Sequence, residues 1–77
     1  MEDAAKTLEN QMKKLKDIAA DSALPSELRY KAQEQLGRAG NHEALLALLD
    51  LVADEKLVRQ ERESALKHAA EILKSKH

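Results

Sequence analysis

The stretch Leu48-Leu49-Asp50-Leu51-Val52-Ala53-Asp54 repeats the pattern of Leu15-Lys16-Asp17-Ile18-Ala19-Ala20-Asp21 at an offset of 33 residues. Leu45 falls on Met12 at the same offset. Past the aspartate the best match of residue types drops to an offset of 30, with Val58-Arg59 on Leu28-Arg29 and Leu66 on Leu36. The first turn therefore reads as three residues longer than the second, through Ser22-Ala23-Leu24. A self-match of this period points to two stacked helical hairpins, each a helix, an aspartate-bearing turn and a second helix.

Composition agrees with helix throughout. The chain has 77 residues, 43% of them apolar, with 13 Ala and 13 Leu, one Tyr, and no Phe, Trp or Cys. Ala, Leu, Glu, Lys, Gln and Arg are the strongest helix formers, and the β-branched residues that favour strands are scarce. The length suits one domain, residues 1–77. A core of Leu and Ala this small often borrows surface from a partner or a second copy.

Three breaks divide the chain. Around Asp21-Ser22-Ala23-Leu24-Pro25, the proline suits a first helical turn and Glu27 follows near its positive end. At Gly40-Asn41, the glycine suits the left-handed position after a helix and the asparagine caps the next one. At Asp54-Glu55-Lys56, the aspartate is expected to cap the last helix. Four helices result, at about 3–21, 25–38, 42–53 and 55–74. Repeat one covers about 3–38 and repeat two about 42–74.

The expected buried stripes follow the helical period. They are Leu8, Met12, Leu15 and Ala19 with Ile18 flanking, then Leu28, Ala32, Leu36 and Ala39. The fourth helix offers Val58, Ala65, Leu66, Ala69, Ile72 and Leu73. From Ala44 to Ala53 only Asp50 is not apolar, so the third helix should be central or face a partner.

The run Leu28-Arg29-Tyr30-Lys31-Ala32-Gln33-Glu34-Gln35-Leu36-Gly37-Arg38-Ala39-Gly40-Asn41-His42-Glu43-Ala44, then Asp54, Val58-Arg59 and Ala65-Leu66, resembles the HEAT repeat. It is most similar to the bacterial HEAT-like type found in phycobilisome lyases and scaffold proteins. The resemblance covers residues 24–66 and weakens over the first helix and the C-terminal tail. It implies an all-α fold of two stacked HEAT-like hairpins, a short α-solenoid or compact four-helix bundle. It also implies a ladder in which Asp21 pairs with Arg29, and Asp54 with Arg59. A carboxylate near a helix N-terminus and the fixed fork of an arginine suit such a bond. The other reading of these arginines is an anion site.

The chain departs from that pattern. His42 stands where proline is common, and Arg62 takes the place of Ala32 on the inward stripe, where a charge must pair or meet an outside group. Asp50 is the expected structural partner of Arg62. Two repeats are also fewer than a stack usually needs, so the lysine-rich first helix and the fourth helix should act as polar end caps.

Chemistry beyond binding has little support. Without cysteine there is neither a disulfide nor a thiolate metal site. His42, His68 and His77 are scattered, and the pair His68 and Glu71 has no matching pair on another helix. Ser22, Ser26, Ser64 and Ser75 fit turns, caps and helix surface, and Gly37 and Gly40 do not form a phosphate loop. No catalytic residue, cofactor or metal is expected. The longest apolar run is six residues, Ala44–Leu49, so no membrane span is expected either. The acidic, polar opening MEDAAKTLEN does not read as a secretory signal, and a cytoplasmic protein is the expectation.

Thirteen basic residues against 14 acidic ones give no field to draw nucleic acid. Lys6, Lys13, Lys14 and Lys16 do cluster, which keeps a small nucleic-acid-associated regulator as an alternative. Glu2, Asp3, Glu9 and Asp17 interrupt them, and no aromatic residue is present to stack bases there. Protein recognition is the favoured function. The resemblance implies a concave face made by second helices, presenting Tyr30, Gln33 and Glu34 on one and Gln60, Ser64, Lys67 and Glu71 on the other. Tyr30 can anchor a partner or merely cover the first turn. A homo-oligomer joined through the third helix and Arg62 is the second alternative.

Overall fold

A computed structural model describes residues 4–75. His77, Glu2 and Asp3, weighed above, lie outside these. Four helices follow in order: α1 (Ala4–Ala20), α2 (Ser26–Ala39), α3 (His42–Val52) and α4 (Arg59–Ser75). No strand occurs among the described residues.

The middle break forms as its residues dictate. Gly40 ends α2 with φ 60°, and its N–H donates to the Leu36 carbonyl at 3.3 Å. It is the one positive φ among the described residues, which glycine adopts without steric cost. Asn41 Oδ1 then accepts from the Ala44 N–H at 2.7 Å, capping α3.

The other two breaks correct the expected register. Asp54 does not cap α4, which starts at Arg59 instead of 55. Its Oδ1 accepts from the Lys56 N–H at 2.9 Å, and its carbonyl accepts from the Leu57 N–H at 3.2 Å. An aspartate that bonds the backbone two residues on builds a turn, not a cap. Asp21 does the same, accepting from the Ala23 N–H at 2.9 Å and, through its carbonyl, from the Leu24 N–H at 3.1 Å. The helix that follows is entered identically. The Pro25 carbonyl accepts from Leu28 at 3.0 Å and Arg29 at 3.3 Å, and the Val58 carbonyl from Glu61 at 3.0 Å and Arg62 at 3.1 Å. The two turns are therefore the same length, and the offset stays at 33 throughout. Val58 replaces Pro25, Leu57 replaces Leu24, and Arg62, not Arg59, replaces Arg29.

Within each hairpin, α1 packs on α2 and α3 on α4. Between hairpins, α1 meets α3, α2 meets α4, and the diagonal α2–α3 is closed. The other diagonal is open, because the backbones of α1 and α4 do not come close to one another. The helices thus form two layers, α1 with α3 and α2 with α4. The molecule measures 38 × 31 × 18 Å, its thinnest dimension two helix layers deep.

The core is thin. Leu36, Leu48 and Leu51 are its fully buried large apolar side chains. Ala19, Ala32, Ala44, Ala47, Ala65 and Ala69 make up half of the buried apolar residues and let the helix axes approach closely. In α1, Met12 and Ala19 are buried, with Leu8 and Leu15 half-buried against the core, as expected.

The other stripes hold in part: Ala32, Leu36, Ala65, Ala69 and Ile72 are buried as expected. Leu28, Ala39, Val58, Leu66 and Leu73 are exposed, while Leu57, Gln33 and Glu61 are buried. On α4 the inward line is Glu61, Ala65, Ala69 and Ile72, a regular helical spacing once the register is right, and Leu57 of the turn before it is buried too. Helix α3 touches all three others, yet Leu46 and Leu49 stay exposed on its outer side.

Candidate functional site

One polar link joins the hairpins through the core. Arg29 Nη2 donates to Glu61 Oε2 at 2.8 Å, with side-chain exposures of 15% and 3%. Gln33 Nε2, one turn along α2, donates to the Glu61 backbone carbonyl at 3.0 Å. Both acceptors lie at the start of α4, so α2 holds that end by a charge pair and an amide. Arg29 Nε, Gln33 Oε1 and Glu61 Oε1 remain buried without partners, so the link uses one arm of each fork.

The implied ladder does not form. Asp21 and Asp54 spend their carboxylates on their own turns. Arg29 turns inward to Glu61, and Arg59 lies on the surface with Glu63 at 3.9 Å. The expected pair of Arg62 with Asp50 is absent as well. Asp50 is on the α1 side of α3, 3.4 Å from Lys16 Nζ. Arg62 is half-buried, with no ion pair among the described residues, and its Nε is buried without a hydrogen bond.

The constant 33-residue register explains what lies at the two ends. Leu48, Leu51, Leu57, Glu61 and Ala65 are buried in the second hairpin. Their counterparts in the first are Leu15, Ile18, Leu24, Leu28 and Ala32. These five, with Lys31 and Gln35, line an open groove of about 310 Å³ between α1 and α2. The groove is the packing face of the second hairpin, met again where no hairpin covers it.

The opposite end mirrors this. Ala19, Arg29 and Gln33 of the first hairpin are covered by the second. Their counterparts Val52, Arg62 and Leu66 line a shallow hollow of about 180 Å³ with Arg59 and Glu63. Neither α1 nor α4 acts as the expected polar cap: Ile18 and Leu28 stay open on one end and Leu66, 51% exposed, on the other.

The expected concave-face residues are only partly gathered. Glu34 and Glu71 line one cleft between α2 and α4, with Gly37, Arg38 and His68. Gln60 and Lys67 are exposed on α4 outside that lining, and Tyr30 is half-buried on α2. Glu34 also pairs with Arg38 at 3.3 Å on the surface. Gly37 fits the cleft because a Cβ there would come 2.8 Å from His68 Nδ1.

Among the described residues no group of three or more metal-ligating side chains converges, and no helix is long and apolar enough to cross a membrane. The residues missed in the sequence are Glu61 and Leu57, while Gln33, expected on the concave face, is buried against α4. The available signal was the spacing Leu57, Glu61, Ala65, Ala69, hidden by matching Arg59 instead of Arg62 to Arg29. Compared with known proteins, the chain matches no family model, no curated protein and no solved structure.

Proposed function

We propose that this chain is a non-catalytic protein-interaction module of two HEAT-like hairpins, working in the cytoplasm through its exposed end faces. The observation that carries the reading is the groove of Leu15, Ile18, Leu24, Leu28 and Ala32. It has the register of the surface by which the second hairpin packs on the first, with the apolar Leu28 in place of Glu61. Contiguous exposed apolar surface on a small protein marks an interaction site.

The test is site-specific photo-crosslinking in cytosol from the source cell, with benzoylphenylalanine at position 28, at position 66, or at the exposed position 14. A discrete heavier adduct from an end-face position, absent from position 14, is the expected result. The captured protein, once purified, should bind the wild-type chain and lose at least about tenfold in affinity on substitution at its own end face, such as Leu28→Asp. Equal adducts from all three positions, or none from 28 and 66, would overturn the reading.

A further inference from the structure

We propose that the outer face of the second hairpin, centred on Arg62, docks a partner protein's helix that presents a carboxylate between small and aliphatic side chains. The proposal deepens the interaction reading above by naming the chemistry of one partner. Arg29 shows what an arginine at this position of the hairpin does: it receives a glutamate from the next helix layer, at 2.8 Å. Arg62 stands at the same position one repeat later, entered by the same turn and the same first-turn hydrogen bonds. Its Nε is buried and unbonded, and its side chain lines the hollow with Val52 and the exposed Leu66, where Glu63 is 3.9 Å from Arg59. A guanidinium held half out of water without a counter-charge is matched best by a carboxylate that is brought to it.

The helix that answers Arg29 shows the face required. It reads Glu61, Ala65 and Ala69 at four-residue steps, preceded by the buried Leu57 of the turn that enters it. The partner of Arg62 therefore presents an aliphatic residue, a glutamate and small residues at the same steps. Where Gln33 donates to the Glu61 backbone, the second hairpin has Leu66, so this partner meets an apolar side chain at that point.

A second copy of this chain does not supply that face. At the same steps its first hairpin has Leu24, Leu28, Ala32 and Leu36; Ala32 and Leu36 are buried, and the exposed Leu28 stands where the glutamate belongs. Head-to-tail stacking of two copies would bury the Arg62 charge against Leu28 without a counter-charge. The face is shaped for this fold's own kind of helix, and the charge selects one from elsewhere.

The difference at position 28 supplies the probe. The double variant Leu28→Glu, Arg62→Ala carries the missing glutamate and lacks the arginine, so it offers one face only. Titrated into the wild-type chain in a calorimeter, it should form a one-to-one complex. Arg62→Ala in the wild-type partner, or Leu28→Gln in place of Leu28→Glu in the probe, should each weaken binding at least about tenfold. Leu28 is exposed and Arg62 half-buried, so the probe keeps its helical circular dichroism. Should the double substitution melt the chain, Leu28→Glu alone reports instead, through an average mass that rises with concentration and falls back when Leu28→Gln replaces Leu28→Glu. No complex from a folded probe, equal binding by the Leu28→Gln control, or binding that survives Arg62→Ala would overturn the proposal. The wild-type chain growing head-to-tail through Arg62 would overturn it too. The probe is this chain itself, so a negative result leaves the photo-crosslinking test of protein binding standing.

Discussion

Arg29 and Glu61 are 32 residues apart in the chain, and their side chains meet at 2.8 Å inside the seam between the hairpins. Breaking this pair from one side leaves the other charge buried. Glu61→Ala should cost about 3–5 kcal/mol, which in a domain of marginal stability removes much of the fold. Replacing both residues by leucine should recover most of that loss, since a buried pair contributes little beyond apolar packing of similar volume. Urea midpoints of the two single variants and the double variant check this. Single variants with wild-type midpoints would mean that the seam does not depend on the pair.

Arg62 has the same place in the second hairpin without a counter-charge, and the two arginines should respond differently to one substitution. Arg62→Leu is expected to leave the stability of the free chain within about 0.5 kcal/mol of wild type, or to raise it. Arg29→Leu, which strands Glu61, should lower it by several-fold more. Thermal melts at one concentration distinguish them. Equal losses would mean that Arg62 has an unseen role in holding the free chain together.

Gly37 lies where α2 approaches α4, and an added Cβ would sit 2.8 Å from the His68 ring. In a helix, Gly→Ala alone gains about 1 kcal/mol. Gly37→Ala should nevertheless destabilise the wild-type chain, because the ring, its Cγ and its Cβ are all crowded. In a His68→Ala background the same change should stabilise by about 0.5–1 kcal/mol. A stabilising effect in both backgrounds would show that the helices yield there without cost.

The caps and turns make a smaller, ordered set. Asn41→Ala should cost about 1 kcal/mol, through loss of the 2.7 Å bond to the Ala44 N–H. Asp21→Ala and Asp54→Ala should cost similar amounts to each other, since each carboxylate makes the same bond at 2.9 Å. Chemical denaturation of the three variants measures this. A loss at Asp54 alone would mean that the two turns are not equivalent.

The helix class and the break at Gly40-Asn41 were legible in the sequence because their chemistry is local. A glycine that can take φ 60° and an asparagine three residues before a free N–H need no tertiary context. The start of α4 was not legible in the same way. An aspartate building a turn and an aspartate capping a helix are the same letter, and Asp54 builds the turn. Matching Val58-Arg59 to Leu28-Arg29 by residue type then shifted the second repeat by three residues. That shift put Val58 and Leu66 on the inner face and hid Glu61, a charge at a place where the periodicity alone demands an inward side chain. The end faces follow from stacking, not composition. Leu15 and Leu48 are the same residue at the same repeat position, and only the presence of a neighbouring hairpin decides which is fully buried.

The missing contact between α1 and α4 has a consequence for how the chain reaches this shape. No step requires the first helix to find the last. Each pairing joins helices that are neighbours in sequence or lie one repeat apart. Loop closure is thus limited to short spans, and low contact order of this kind puts folding in the microsecond-to-millisecond range.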